Sequence, residues 1–455
     1  MNVNKQARRC GAALLTLILT LCIAAGLTAC GRNSDDTMTV RYLNFKPESA
    51  AKYEALAKLY EEQTGVKVVV ETAANNTYEQ TLAAKMATDE APTLFQINGP
   101  RGYAAWKDYC ADLKNTQLYQ HLTDKSLAVT DGDKVVGIPY VVEGYGIIYN
   151  KAITDRYFEL ANKATTYTSM DQIQSFGALK ALVEDMQKNA AALGIEGVFA
   201  STSLKSGEDW RWQTHLLNLP LYYEFQEGKL DLTDPEATKT VNFSYADQYK
   251  NVLDLYMDNS LTDRKLLGSK TVVDSMSEFA LERCAMVQNG NWAWSQIKDV
   301  SGNKVKAENL RFLPIYTGVE GEETQGLAVG TENYYAINSK ASEEQQKAAA
   351  DFIYWMYSSK EGKRYVTEEL GFIAPFDTFA EEETPDDPLA REISRWMAKD
   401  QITAVPWHFT LFPSSRFKED FGASLLKYAQ GTKHWEDVIR DMIDSWKREA
   451  SAAIT

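Results

Sequence analysis

Residues 39–71, TVRYLNFKPESAAKYEALAKLYEEQTGVKVVVE, hold two short apolar runs separated by an amphipathic stretch. The runs at 39–43 and 66–71 are rich in β-branched and aromatic residues, as buried strands are. Between them, apolar residues recur at helical spacing over 49–63, and Gly65 stops that helix. Strand, helix and strand in this order form the unit of a parallel sheet, so we expect an α/β fold.

The same alternation continues along the chain. Ser342 and Gln345 form a capping box at the start of a further helix. The pattern predicts helices at 78–88, 170–192, 342–357 and 435–450, strands at 93–97, 134–139, 197–200 and 334–338, and turns at 98–100 and 131–133. A chain of 455 residues exceeds the roughly 250–300 residues at which one core stops growing, so two domains are expected.

The amino terminus reads as an export signal. Basic residues and no acid precede an apolar run at 12–25, which is too short for a comfortable transmembrane helix. The run leads to Leu27-Thr28-Ala29-Cys30, a pattern typical of bacterial lipoproteins. We predict a signal peptide at 1–29, a lipid such as palmitate on Cys30 and a tether at 30–37, which would hold the protein at the outer face of the cell membrane. An ordinary signal peptide with an incidental Cys is the alternative.

Charge and cysteine content narrow the function classes. The formal net charge is -15 and no basic stripe is visible, so a nucleic-acid partner is not expected. Cys110 and Cys284 are the cysteines that follow the predicted lipidation site, and they lie far apart in sequence. We expect two free thiols, with a single bridge as the alternative.

Enzyme and metal signatures are scarce. The sequence has no GxSxG, HExxH or P-loop motif. None of its four histidines lies at metal-ligand spacing from another His or a Cys, so neither a metal site nor a cofactor is predicted. A pair of catalytic carboxylates stays possible, because such pairs are distant in sequence.

Aromatic residues give the positive signal, with 10 Trp, 24 Tyr and 17 Phe. Several tryptophans lie among polar residues: Trp210-Arg211-Trp212, Asn291-Trp292-Ala293-Trp294 and Pro406-Trp407-His408. A sugar ring has an apolar face and a rim of hydroxyls, so an aromatic plane beside amides or carboxylates suits it. The alternative is that these tryptophans anchor the core.

Two segments carry a resemblance to a family. Residues 137–151, GIPYVVEGYGIIYNK, and residues 285–294, AMVQNGNWAW, resemble the crossover strand and the Trp-bearing segment of solute-binding lipoproteins of carbohydrate ABC importers, the class that includes maltodextrin-binding protein. The resemblance implies a two-domain periplasmic-binding-protein type II fold with a ligand cleft at the hinge. We therefore assign 38–142 plus 330–374 to an N-terminal lobe and 143–329 plus 378–455 to a C-terminal lobe.

The resemblance also implies site residues. Glu143 matches the hinge glutamate that accepts hydrogen bonds from sugar hydroxyls. The alternative is that Glu143 is an ordinary carboxylate on a surface strand. Trp292 matches a Trp that stacks on a sugar ring, and Trp407 lies near the position of a second one. The remaining candidates come from the loops after two strands, from the hinge strand and from the Trp-Arg-Trp segment: Asn44, Lys46, Glu48, Asn98, Tyr145, Trp210 and Trp212.

The function implied is capture of an extracellular sugar, expected to be an oligosaccharide, and its delivery to the membrane permease subunits of an ABC importer. No catalysis is expected, and the protein is expected to be a monomer. Two alternatives stay open. One is a glycoside hydrolase with Trp platforms, and the other is a binding protein for a non-sugar solute such as a peptide or polyamine.

Overall fold

The computed structural model describes residues 38–74, 77–232, 236–380 and 382–452. The predicted signal peptide, Cys30 and the tether lie outside these residues. The strands form two mixed sheets: β1 Thr39–Asn44, β2 Lys67–Thr72, β3 Leu94–Asn98, β4 Val129–Asp131, β5 Lys134–Pro139, β6 Glu143–Asn150, β7 Gly197–Phe199, β8 Cys284–Gly290, β9 Leu310–Leu313, β10 Gln325–Gly330, β11 Asn333–Ile337 and β12 Thr403–Pro406.

The α-helices cover both sheets. They are α1 Ala50–Thr64, α2 Tyr78–Met86, α3 Gly99–Trp106, α4 Gln117–Gln120, α5 Lys151–Glu159, α6 Phe176–Lys188, α7 Ala190–Leu193, α8 Leu217–Glu227, α9 Ala246–Asp258, α10 Val272–Ala280, α11 Ala293–Lys298, α12 Glu343–Ser358, α13 Lys360–Arg364, α14 Pro388–Met397, α15 Ser415–Ala429 and α16 Trp435–Ala452. Two π-helical segments, Arg211–Leu216 and Tyr365–Glu369, continue into or out of α-helices.

The first sheet has the order β2-β1-β3-β11-β5-β4. Strand β1 pairs in parallel with both β2 and β3, as the opening strand-helix-strand pattern predicts. The return strand β11 runs antiparallel to β3 and β5. Parallel neighbours align their carboxyl ends, so the loops after β1 and β3 meet at one edge of this sheet.

The second sheet has the order β12-β10-β6-β8-β7, and β9 also pairs with β6. Strand β6 is buried along its whole length and lies antiparallel to β8 and β10. Its register places Tyr145 opposite Gly290 and Glu143 opposite Gly330. The two quoted segments that carry the family resemblance are therefore neighbours in this sheet.

The chain passes between the sheets repeatedly. It leaves the first sheet after Pro139 and enters the second at Glu143, and it returns between Gly330 and Asn333. A later passage follows Phe376, which packs in the core of the first sheet, while Leu389 packs against the second. Strands β5 and β6 therefore belong to different lobes, and so do β10 and β11. The passages lie side by side, because Gly330 pairs with Glu143 and Ile373 with Val142.

Two local predictions are wrong. The helix predicted over 170–192 is broken, because Ser175 caps a new helix by accepting a hydrogen bond from the Ala178 amide. The predicted turn at 98–100 instead begins helix α3, with Pro100 in its first turn, where its missing N–H costs nothing. The capping box of Ser342 and Gln345 is confirmed.

Candidate functional site

An ion pair joins the two sheets at the passage between β5 and β6. Lys46 lies in the loop after β1, and Glu143 is the first residue of β6. The Lys46 Nζ is 2.7 Å from Glu143 Oε1 and 3.8 Å from Glu48 Oε1. The side chains of Lys46 and Glu143 are 9% and 5% exposed, so this pair is screened little by water.

Burial and neighbouring charge set the ionisation of this pair. Burial raises the pKa of Glu143, and the Lys46 ammonium opposes that shift. Burial alone would lower the pKa of Lys46, but the charges of Glu143 and Glu48 outweigh it and the pKa is raised. Lys46 therefore stays protonated and offers N–H donors, while Glu143 offers oxygen acceptors.

Asn44 shapes the loop that carries Lys46. Its side chain is fully buried, with the Nδ2 atom donating to the Lys46 carbonyl at 2.9 Å and to Thr72 Oγ1 at 3.1 Å. Its Oδ1 atom accepts from the Lys46 amide at 3.1 Å. The amide of Asn44 is thus occupied by the protein itself, and its role here is to position Lys46.

Four predicted aromatic residues gather around a buried histidine in the second lobe. The ring centroid of His215 lies 4.4 Å from that of Tyr145, 5.0 Å from Trp210, 5.5 Å from Trp407 and 5.7 Å from Trp292. Phe409 adds a further ring at 4.7 Å. Together these six residues form what we call the aromatic wall. It adjoins the Lys46–Glu143 ion pair, called the hinge pair below, because the Lys46 Nζ lies 5.6 Å from the Trp292 ring centroid.

Two glycines let tryptophans fold against the sheet. A Cβ atom on Gly290 would lie 2.1 Å from Trp292 Cζ3, and one on Gly330 would lie 2.7 Å from Trp407 Cβ. These separations are far inside van der Waals contact, so any larger residue would displace the indole. The strand glycines therefore fix the positions of Trp292 and Trp407.

Two predicted residues lie elsewhere. Trp212 is 1% exposed, and its Nε1 donates to the Thr202 carbonyl at 3.2 Å while its ring meets Tyr256 edge-on. It is a core residue on the far side of the helix from the aromatic wall. Asn98, at the end of β3, donates from Nδ2 to Glu332 Oε1 at 2.9 Å, so it lies at the sheet edge and not in the wall.

His215 and Asn291 were not anticipated as residues of this region from sequence. Trp210 and His215 are five residues apart and meet because the segment Arg211–Leu216 is π-helical, a spacing that a 3.6-residue period does not predict. Asn291 clamps the hinge strand, with its Oδ1 accepting from the Gly144 amide at 3.0 Å. Asn291 stands inside the quoted 285–294 motif, so its polar character was a visible signal.

The lobes touch and enclose a cavity. Arg101 of α3 donates to the Leu411 carbonyl at 3.5 Å, which brings the first lobe against the loop after β12. A small cavity of about 20 Å³ lies beside the hinge, with Lys46, Glu48, Glu143 and Trp292 among its lining residues. Its lining combines charged side chains with an indole face.

Three further features of the described ranges concern metal binding, disulfide bonds and membrane spanning. No group of three or more His, Cys, Asp and Glu residues there could hold a metal ion. Cys110 and Cys284 are free thiols. No helix among those residues has the length and apolarity needed to cross a bilayer.

Comparison with known proteins places the chain among binding proteins. A family model described as bacterial extracellular solute-binding protein matches residues 55–392. A curated relative, the multiple sugar-binding protein of Streptococcus mutans serotype c, is 21% identical over 394 residues, covering 83% of this chain and 85% of the relative.

Solved structures share the fold. A periplasmic solute-binding protein from Pectobacterium atrosepticum gives a TM-score of 0.71 at 16% identity, covering 92% of this chain and 100% of the other. The solute-binding protein RafE in complex with raffinose gives 0.67 at 18% identity, covering 91% and 100%. A Bacillus licheniformis sugar transporter protein in complex with stachyose gives 0.62 at 17%, covering 90% and 100%. The predicted α/β two-domain fold of this class is thereby confirmed.

Proposed function

The chain belongs to the bacterial extracellular solute-binding protein family, and on that premise we propose that it captures an oligosaccharide between its lobes for an ABC importer. Membership places it outside the cytoplasm, and its relatives are binding proteins. Those relatives are described as sugar-binding or are bound to raffinose or stachyose, which supports a sugar as the cargo here.

The sugar assignment depends on one observation: the indole of Trp292 lies beside the buried Lys46–Glu143 ion pair. Trp292 presents the apolar plane that a sugar ring needs, and the neighbouring Lys46 and Glu143 supply donors and acceptors for its hydroxyls. The rings of Trp210, Tyr145 and Trp407 surround that plane at different orientations, tilted from it by 47°, 33° and 81°. A polyamine site would call for unpaired acids at this point, whereas Glu143 already has a cationic partner.

In this proposal each lobe supplies a different set of ligand-contacting residues. The lobe of 38–142 plus 330–374 supplies Lys46, Glu48 and Asn98, with Asn44 holding the loop. The lobe of 143–329 plus 378–455 supplies Glu143 and the aromatic wall. Binding would favour the closed arrangement of the lobes through contacts made only there, and closure would present a surface to the permease.

The amino terminus completes the proposal. Acylation of Cys30 would tether a monomeric receptor through residues 30–37 to the outer face of the cell membrane. A tether raises the effective concentration of the receptor near its permease without any new protein contact. Mass spectrometry of the membrane fraction tests this step, since a Cys30→Ala variant would be found in the medium and the wild type would not.

A ligand screen tests the cargo. Thermal shift against an oligosaccharide panel should show stabilisation by a subset, because a ligand stabilises by RT ln(1 + [L]/Kd). Calorimetry on Trp292→Ala and Glu143→Gln should then show lost affinity with the fold retained. Unchanged affinity in both variants would sink the site assignment.

The same preparations test for catalysis. We expect no release of reducing sugar from any bound oligosaccharide during long incubation. Hydrolysis needs two carboxyl groups flanking the scissile bond, one of them free to donate a proton. Glu143 is instead tied to a lysine ammonium at 2.7 Å. Turnover that Glu143→Gln abolishes would replace the binding proposal with a hydrolase.

A further inference from the structure

Arg211 is a buried cation beside the aromatic wall without an anionic partner. Its side chain is 0% exposed, and within the described part of the chain none of its three guanidinium nitrogens has a hydrogen-bond partner. Glu208 is the acid that interacts with it at longer range, but no ion pair forms. Glu208 is engaged elsewhere, accepting from the Val272 amide at 2.7 Å and lying 3.6 Å from Lys205 Nζ.

Such an arrangement is costly. Buried arginines are almost always paired, because a guanidinium taken out of water without a counter-charge loses several kcal/mol of solvation. Burial lowers the pKa of Arg211 to about 10, so the group still carries its charge at neutral pH. Water or a sugar hydroxyl could accept its hydrogen bonds, but neither would neutralise that charge.

The surroundings of Arg211 are those of a binding site. Its guanidinium carbon lies 4.1 Å from the ring centroid of Trp210, whose ring is 5.8 Å from that of Trp292. Arg211 begins the π-helical segment, an irregularity often found at functional sites. Nearby, the Nε1 of Trp407 is also buried without a hydrogen-bond partner among the described residues.

The electrostatics of this corner are positive. After burial itself, the charge of Arg211 is the next cause that lowers the pKa of His215, and Lys418 and Lys46 act in the same direction. Lys46 is balanced by Glu143 and Glu48, but Arg211 is not.

We propose that Arg211 receives a carboxylate of the ligand, so that the cargo is an acidic saccharide containing a uronic acid. The inference rests on the proposed function and narrows its substrate class. The planar fork of N–H donors on a guanidinium matches a carboxylate in two-point contact, which a hydroxyl does not offer. Trp210 covers one face of the fork, and no acceptor among the described residues uses the N–H donors of the guanidinium.

The pairing also links the charge of Arg211 to ligand binding. Without an anion, that charge is buried and uncompensated. A carboxylate that the ligand brings beside Arg211 removes that penalty, which favours the conformation that holds the ligand. A neutral saccharide would leave the penalty in place.

The test compares matched ligands on matched variants. Calorimetry would use uronic-acid oligosaccharides from pectin, alginate and glycosaminoglycan digests, each beside its carboxyl-reduced counterpart. The proteins are the wild type, Arg211→Gln and the control Arg391→Gln, which removes an exposed arginine of α14. We expect at least one acidic probe to bind the wild type roughly 10- to 100-fold more tightly than its reduced form, a preference that Arg211→Gln abolishes and Arg391→Gln keeps.

Each other outcome is decisive. Tight binding of neutral saccharides alone, or an acid preference unchanged in Arg211→Gln, overturns this inference and leaves the proposed function standing. Binding of sulfated but not carboxylated saccharides overturns the carboxylate assignment. If no saccharide of any kind binds, the proposed function fails and the inference falls with it.

Folding is a second readout. The ligand-free Arg211→Gln protein should melt no lower than the wild type, because the substitution removes an unpaired buried charge. A melting temperature lower by several degrees would show that Arg211 holds the fold together, and would overturn its assignment to the ligand.

Discussion

Lys46 and Glu143 stand on different sheets and form a buried ion pair of 2.7 Å across the hinge. Because β6 starts at Glu143, the pair fixes the loop after β1 to the point where the chain enters the second sheet. The pair joins the two lobes at their passage, and in the proposed function it also supplies donors and acceptors to the ligand.

Removing Lys46 should show how much stability is lost when Glu143 stays buried without its cation. In Lys46→Met, Glu143 stays buried without its cation, and we expect the free energy of unfolding to fall by about 3–5 kcal/mol. Lys347→Met is the control, because Lys347 pairs with Asp351 on the surface, where such pairs contribute about 0–1 kcal/mol. Urea unfolding measures both. Equal losses in the two variants would contradict the role given to the hinge pair.

Substitutions of Trp212 and Trp292 should separate an effect on stability from an effect on binding. Trp212 is buried in the core, so Trp212→Ala should cost about 3–5 kcal/mol of stability. Trp292 is half-buried at the cleft, so Trp292→Ala should lose oligosaccharide affinity at a smaller cost in stability. Urea unfolding and calorimetry check the pair. The assignment is wrong if Trp212→Ala folds normally and loses only affinity.

Much of the architecture follows from local pattern. The opening strand-helix-strand segment predicted the parallel core of the first sheet, and the capping box at Ser342 predicted the start of α12. These two features depend on periodicity and on short-range hydrogen bonds, which are set by consecutive residues. Glu143 and Trp292 were instead assigned from the family resemblance of two segments, whose strands β6 and β8 are adjacent.

Other features depend on tertiary context. Trp210 and Trp212 look equivalent in sequence, but the start and the π-helical winding of their segment decide that Trp210 faces the wall and Trp212 the core. Asn44 was predicted to contact ligand, which stays a prediction, and the structure adds that its amide bonds the backbone of its own loop. Which partner a buried amide finds is set by distant packing, so sequence alone could not decide it.

The strand glycine beneath Trp292 should be intolerant of a single methyl group. In Gly290→Ala the new Cβ would overlap the indole, so we expect the ring to shift and oligosaccharide affinity to fall at least about tenfold. Gly177→Ala is the control: a Cβ there meets only Ser175 Oγ at 4.0 Å, and alanine favours the helix by about 1 kcal/mol. Calorimetry and tryptophan fluorescence follow both, and an unshifted spectrum with full affinity in Gly290→Ala would refute the packing argument.

Asp209, which precedes the Trp-Arg-Trp segment, should make stability fall as pH rises. It is 3% exposed, and burial raises its pKa from 3.8 to about 6. The folded protein thus binds this proton more tightly than the unfolded chain does, so the contribution is fully present below about pH 3.8 and is lost as pH rises through about 6. A shift of this size corresponds to about 3 kcal/mol.

Urea unfolding of wild type and Asp209→Asn between pH 4 and 7 isolates this contribution, because the other titrating groups cancel in the difference. Relative to Asp209→Asn, the wild type should lose stability as pH rises, most steeply near about pH 5. The control is Asp89→Asn, which removes one carboxylate from an exposed position. Parallel curves for wild type and Asp209→Asn would mean that the carboxyl gains compensating hydrogen bonds when it ionises, and that its burial does not control its charge.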